Sequence, residues 1–330
     1  MRKKMLIGIK LLVVFLILIV LSMGAFAQIK WVIASKFAPT TIRGQYYQKF
    51  ADAVKELSNG NFICEIFGAE VLGSTQATLD QLQAGTINMY VEGLDFMERY
   101  YSPFALTSFP FVFKDADHLI RFFNSEMVTE WREKLREYNI DVIYYQPVDP
   151  YRAMLSSKPI RSYQDFVGIK LRMFPNKQII KIWEYLGANI VVTEWGEVYE
   201  SLKTNLIGAV TGGWTSIYDM SFHEAAKYLL RTDEYPQSAA WMVYSPGYEE
   251  LSAENKEILN KAFKEAGVWA KENYGEADEK ALKDAVENYG LQFLRVSMKE
   301  WRDKVWEYYP MLEEDGTLPK GTLDYIKSLE

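Results

Sequence analysis

The sequence predicts an α/β protein of two lobes. Three observations lead there. Strand-like and helix-like segments alternate from Ile29 onward, the alternation restarts as a second unit near Pro150, and the 330 residues suit two lobes at about 100–200 residues each. In the first unit, Ile29 to Ala34 reads as an apolar strand. Thr40 to Leu57 follows as a helix, with apolar spacing at Phe50, Val54 and Leu57 and a stop at Ser58-Asn59-Gly60. Asn61 to Phe67 alternates as a strand, Thr75 to Ala84 is helical and closed by Gly85, and Thr86 to Glu92 is a third strand. Asp117 to Tyr138 reads as one helix and Asp141 to Tyr145 as a strand.

The second unit predicts strands at 151–156, 169–173, 189–192 and 207–211, with helices at 176–186 and 196–203 between them. Ser162-x-x-Asp165 resembles a capping box that opens a short helix. Gln237 to Tyr244 is a candidate further strand. Beyond Ser252, a suitable N-cap, the pattern is helical almost to the end, and the proline-free run from Ala253 to Tyr289 fits one very long helix. With no repeat and no Pro/Gly-rich linker, the lobes are expected to be joined by strands or a shared helix.

Residues 1–27 have another character. Arg2, Lys3, Lys4 and Lys10 precede an apolar run from Leu11 to Leu21, and Ala25-Phe26-Ala27 precedes Gln28. This is the layout of a secretory signal peptide with an A-x-A cleavage site, so the mature chain is expected to be exported. An uncleaved anchor is the alternative, but the uncharged stretch is short against the ~20 residues a span needs. Loss of four basic residues takes the formal charge from −7 to about −11. Such an acidic chain is a poor partner for nucleic acid, which needs clustered Lys and Arg. The single cysteine, Cys64, lies in a strand-like run and reads as a small buried hydrophobe.

Chemistry is scarce. His118 and His223 are the two histidines, and their polar surroundings predict surface or capping roles. No P-loop, no G-x-G-x-x-G after a strand, no G-x-S-x-G elbow and no zinc-ligand spacing is visible, so neither an enzyme nor a bound cofactor or metal is expected. Two arginines at strand ends are more informative. Arg152 and Arg172 fall in predicted strands, and ligands of open α/β sheets sit beyond the carboxyl ends of strands. There a guanidinium can hold a carboxylate through two parallel hydrogen bonds. Trp195 and Trp214 each follow a strand and precede a helix, a placement that suits the wall of a cleft and equally a lid on the core.

Several segments together resemble the solute-binding subunits of tripartite ATP-independent periplasmic (TRAP) transporters, the DctP-type family. They are Phe50-Ala51-Asp52-Ala53-Val54 with Ser58-Asn59-Gly60, Ala69-Glu70-Val71-Leu72-Gly73, and Gln81-Leu82-Gln83-Ala84-Gly85. The strongest block is Ser157-Lys158-Pro159-Ile160, Asp165-Phe166-Val167-Gly168-Ile169-Lys170-Leu171-Arg172, Leu186-Gly187-Ala188 and Glu197-Val198-Tyr199. The resemblance covers nearly all the mature chain. It implies a two-lobed periplasmic binding protein fold with a long helix spanning both lobes. Lobe I would comprise 28–150 plus about 239–280, and lobe II 151–238 plus about 281–330. It further implies capture of a small organic acid in the cleft and delivery to TRAP membrane subunits, the chain acting as a monomer. A ligand-sensing module for a membrane receptor is the alternative function.

By the same resemblance Arg172 pairs with the ligand carboxylate, Arg152 is a second site arginine and Trp195 lines the cleft. Phe37 and Glu92 fall near other pocket positions. The chain departs from the family where many members carry D-G-Q-E-N-P. Here the stretch is Gly208-Ala209-Val210-Thr211-Gly212-Gly213-Trp214, and Gly212 stands where an amide would face the ligand. With Trp195, Trp214 and Phe174 nearby, this departure predicts a more apolar or bulkier acid than sialic acid or a simple dicarboxylate.

Overall fold

The computed structural model describes residues 28–149 and 152–330. The expected signal segment lies outside the described residues. Each lobe is built on one sheet. The first has the order β2-β1-β3-β10-β4, from β1 (Ile29–Ser35), β2 (Phe62–Phe67), β3 (Met89–Glu92), β4 (Ile140–Pro147) and β10 (Ser238–Tyr244). β1 runs parallel to β2 and β3, while β10 is antiparallel to β3 and β4. The second sheet has the order β11-β9-β5-β8-β6-β7, from β5 (Arg152–Ser156), β6 (Lys170–Met173), β7 (Asn189–Val192), β8 (Ala209–Gly213), β9 (Tyr228–Arg231) and β11 (Gln292–Leu294). β6 is parallel to β7 and β8, and β5 is antiparallel to β8 and β9. The chain passes between lobes from β4 to β5 and returns from β9 to β10.

Helices cover the sheets because their apolar stripes face inward. α1 (Ile42–Leu57) is N-capped by Thr41 and buries Phe50 and Val54, as the spacing predicts. α2 (Thr75–Ala84) is capped by Ser74 and ends on Gly85, whose φ of 74° suits glycine. Phe50 stacks on Phe263 at 4.5 Å and packs on Trp241 of β10 at 4.4 Å, which ties the first sheet to its helices.

The predicted helix from Asp117 to Tyr138 is two helices, α3 (Ala116–Phe123) and α4 (Glu126–Arg136). Asn124 closes the first and the Ser125 hydroxyl caps the second, accepting from the Val128 amide. In the second lobe follow α5 (Tyr163–Phe166), α6 (Lys177–Tyr185), α7 (Val198–Lys203), α8 (Trp214–Asp219) and α9 (Phe222–Ala225). A 3₁₀ turn at Trp195–Glu197 takes the first residues of the helix predicted from Gly196. Two 3₁₀ helices, Leu94–Arg99 and Ser102–Ser108, and the strands β9 and β11 are additions to the predicted elements.

After the short α10 (Ser245–Glu249), the predicted long helix is continuous as α11 (Ala253–Tyr289), with Ser252 as its N-cap. It packs along α1 in the first lobe and against α8 and α9 in the second. α12 (Lys299–Glu314) also bridges the lobes. Its Trp301 packs on Tyr163 and Phe166, and its Tyr309 stacks on Phe109 and donates to the Pro110 carbonyl at 2.5 Å. α13 (Thr322–Ser328) closes the chain.

Cys64 is buried as expected, and burial pushes its thiol up. Both histidines are buried as well, contrary to the surface role their polar neighbours suggested. His118 is held between the Lys114 amide and the Ile326 carbonyl. His223 stacks on Tyr218 at 4.6 Å, and desolvation lowers its pKa. Among the described residues no helix is long and apolar enough to cross a membrane.

Candidate functional site

A cavity of about 70 Å³ lies between the lobes. Its walls come from the ends of strands, where each chain turns toward a helix. The β1–α1 loop supplies Lys36 and Phe37, and the end of β3 with the following 3₁₀ helix supplies Glu92, Asp95 and Phe96. From the second lobe come Arg172 of β6, Phe174, Trp195, and Thr211 to Gly213 of β8. Arg152 reaches the same end because β5 is antiparallel to β8, with Arg152 opposite Gly213. The β9–β10 crossing adds Tyr235 and Gln237.

Arg172 is 5% exposed. Its Nε donates to the Thr193 carbonyl at 2.9 Å, and its guanidinium lies 5.3 Å from the Trp195 ring centroid. Among the described residues, no carboxylate stands within ion-pair distance of it. Burial therefore lowers its pKa to about 10, against the opposing fields of Glu194, Tyr235, Glu70 and Glu92. It remains charged at neutral pH and has donors to spare.

The other cations in the wall are paired. Arg152 donates from Nε to Glu234 at 2.9 Å, from Nη2 to Thr211 at 3.3 Å and from Nη1 to Gln237, and it sits 3.9 Å from the Tyr235 ring centroid. Arg43 of α1 donates to Asp149 at 2.6 and 3.1 Å, and Asp149 also accepts from Thr215 and from Ser216 at 3.1 Å. This group joins a helix of the first lobe, the crossing chain and α8 of the second. Lys36 pairs with Glu92 at 2.9 Å, and its ammonium lies within 6 Å of the Phe37, Phe96 and Trp195 ring centroids.

The two glycines at the end of β8 make room for others. A Cβ on Gly213 would stand 2.1 Å from a carboxylate oxygen of Asp149. A Cβ on Gly212 would meet the Trp195 ring at 3.1 Å and Ile217 at 3.3 Å. Trp195 thus takes the space a side chain at position 212 would need.

Of the residues singled out by sequence, Arg172, Arg152, Trp195, Gly212, Phe37 and Glu92 all line this cavity, as does Phe174. Trp214 is a correction. It is 3% exposed, and it packs in the core with Ile217, Phe222 and Ala281, away from the cavity lining. The chain enters α8 at Trp214 itself, so no loop exists there to carry the ring to the cleft. Arg152 reaches the cavity, but its donors are committed to the protein. Lys36, Arg43 and Asp95 also line the cavity, and no motif in the sequence marks them. Lys36 and Asp95 lie one residue before Phe37 and three after Glu92, a nearness that could have revealed them.

The family model for bacterial extracellular solute-binding protein, family 7 (DctP), matches residues 33–315. A sialic acid-binding periplasmic protein of Vibrio cholerae is 28% identical over 66% of this chain and 68% of its own length. A C4-dicarboxylate-binding periplasmic protein of Rhodobacter capsulatus is 24% identical over 80% of this chain and 79% of its own. Among solved structures, a TRAP periplasmic solute-binding protein of Ochrobacterium anthropi with bound L-fuconate superposes with a TM-score of 0.84. It is 22% identical and covers 92% of this chain and 99% of its own. Another from Chromohalobacter salexigens, with bound D-glucuronate, gives 0.83 at 20% identity over 91% of this chain and all of its own. The family match spans residues 33–315 and the fold agrees over about nine-tenths of the chain, so this chain belongs to the bacterial extracellular solute-binding proteins of family 7, the DctP family.

Proposed function

We propose that this chain captures a small organic acid between its lobes and delivers it to the membrane subunits of a TRAP transporter. The observation that carries the proposal is Arg172, a buried, charged guanidinium in the cavity wall without a carboxylate of its own. A ligand carboxylate supplies the missing partner. Two parallel charged hydrogen bonds would form, each contributing roughly 1.5–3 kcal/mol net. Closure of the lobes, taken as 28–150 plus about 239–280 and 151–238 plus about 281–330, dries the site and strengthens that attraction. Burial against Trp195, Phe37 and Phe174 adds about 25 cal/mol per Å². The two hydrogen bonds supply about 3–6 kcal/mol, so roughly 2–5 kcal/mol of apolar burial completes the roughly 8 kcal/mol of micromolar binding.

The relatives support this reading. The solved structures hold D-glucuronate and L-fuconate, both carboxylates, and the curated relatives are named for sialic acid and C4-dicarboxylates. The expectation of a more apolar or bulkier acid is narrowed on its apolar side, because Glu70, Asp95 and Glu194 stand in the wall beside the aromatic rings. The ligand's body therefore carries polar groups too. Residues 1–27 serve as an export signal cut after Ala27, and the mature chain binds its ligand without converting it. Calorimetric titration with a panel of small carboxylic acids tests the proposal. At least one acid binds at micromolar levels, is recovered unchanged, and loses its binding in Arg172→Ala. An Arg172→Ala protein that binds as the parent does would overturn it.

A further inference from the structure

The cavity holds more carboxylates than a simple acid requires. Among the described residues four cations line it, and three have partners within the chain: Lys36 with Glu92, Arg43 with Asp149, and Arg152 with Glu234. Arg172 is left for the ligand. The carboxylates of Asp95, Glu70 and Glu194 line the same cavity and none forms an ion pair with these cations. Once Arg172 has taken a ligand carboxylate, no positive charge remains in the wall to balance them.

Asp95 is the best placed of the three. It is 5% exposed, whereas Glu70 is half-buried and Glu194 is at the exposed rim. Its Oδ2 is buried without a hydrogen-bond donor among the described residues, although the Ser108 hydroxyl stands near the carboxyl and favours its charged form. Gly93 makes room for this carboxyl, since a Cβ there would stand 2.4 Å from Oδ1. The groups around it are Glu92, Lys36, Glu98, Tyr145, Tyr235 and the Ser108 hydroxyl. Desolvation and the Glu92 charge outweigh the Ser108 and Lys36 contributions and push it up to about 6. The neighbouring surface already favours cations, because Phe96 is one of the three rings around the Lys36 ammonium.

We infer that the ligand carries a cationic nitrogen as well as its carboxylate, and that Asp95 is the specificity-determining residue that receives it. The inference rests on the reading that the carboxylate goes to Arg172. A hydroxyl would also donate to Oδ2, but it would leave a buried carboxylate without counter-charge, an arrangement that is costly in a dried cleft. A protonated amine satisfies the oxygen and the charge together.

The test pairs amines with hydroxyls. Common α-amino acids and ω-amino carboxylates of increasing length are titrated against the hydroxy acids of the same skeleton, by calorimetry near pH 6 in two buffers of different ionisation heat. An amino member is expected to bind about tenfold or more tightly than its hydroxy counterpart. Its binding should release a proton, because a cation beside Asp95 drives the proton from that carboxyl. The isosteric Asp95→Asn, with its melting temperature checked, should lose both the preference and the proton release. Arg172→Ala should lose both series. Hydroxy acids that bind as tightly as the amines, failure of every amine to bind, or an unchanged preference in Asp95→Asn would each sink the inference while Arg172→Ala still abolishes binding. Unchanged binding in Arg172→Ala would instead overturn the underlying reading.

Discussion

Arg152 and Arg172 line the same cavity from the same sheet, each about 5% exposed, and they are held in opposite ways. Arg152 is surrounded by Glu234, Gln237, Thr211 and the face of Tyr235, and these partners outweigh its burial to raise its pKa. Arg172 has one backbone carbonyl and the side of an indole, and its pKa falls. A buried cation with a full set of acceptors holds a structure together. One with an incomplete set is a cost to the empty protein, which a ligand removes. The pattern of acceptors, more than burial or position, separates the committed arginine from the one proposed to receive the ligand.

Arg152 matters more to stability than Arg172 does. Arg152→Ala leaves Glu234, which is fully buried, without its partner, and should lower stability by about 3–5 kcal/mol in denaturant unfolding. Pairing it with Glu234→Leu should restore part of that loss. If the single variant unfolds as the parent does, Arg152 is not a hinge fastener. Arg172→Ala should do the reverse. Acid binding falls about a hundredfold or more in titration, while the melting temperature stays level or rises because an unpaired buried charge is gone. A large drop in melting temperature would erase the distinction between the two arginines.

A smaller effect should come from the contact that shapes the receptor side. Gly212→Ala places a Cβ 3.1 Å from Trp195, and overpacking of this kind costs about 1–3 kcal/mol, to be read as weaker binding in the same titrations. Affinity equal to the parent's would show that Trp195 can move aside.

A buried acid of α11 also lacks a full set of partners. Asp278 of α11 is raised by burial and by the Asp149 charge to about 8, from an ordinary 3.8. Between these values the folded chain keeps a proton that the unfolded chain has lost. Stability from this group therefore increases as pH falls from about 8 toward 4. Asp219, raised to about 7 by the same causes, adds in the same direction. Thermal melts should shift upward by several degrees between pH 8 and pH 6, and Asp278→Asn should flatten the profile.

Much of this arrangement could be read in the sequence, because strand ends, caps and the long helix are encoded by neighbours. Arg172, Trp195 and Phe37 were legible because each follows or ends a strand in an α/β rhythm, and the family resemblance gave their roles. Trp214 has the same local signature as Trp195, yet only Trp195 lines the cavity. What differs is that β8 turns into α8 with no intervening loop, and no spacing rule shows that. The fasteners were out of reach for another reason. Arg43 meets Asp149 across 106 positions and Arg152 meets Glu234 across 82, so the pairs exist only once two sheets and their crossings are assembled. Without them Arg152 looks as available as Arg172, which is how the sequence alone presents it. Asp95 was hidden similarly, since its isolation depends on Lys36 being committed to Glu92.

The unbroken α11 has a mechanical consequence. Its 37 residues make a rod about 55 Å long, clamped to α1 at one end and to α8 and α9 at the other. Any turning of one lobe against the other must be absorbed as bend or twist along that rod. Gly275 has open space beside it and, as a glycine inside a helix, weakens the rod there, whereas a Cβ on Gly267 would press on Tyr144 and Gln146. The rod then behaves as a leaf spring. Its elastic restoring force, and not only the ligand's grip, would set how far the jaws gape at rest and how fast a captured molecule is let go.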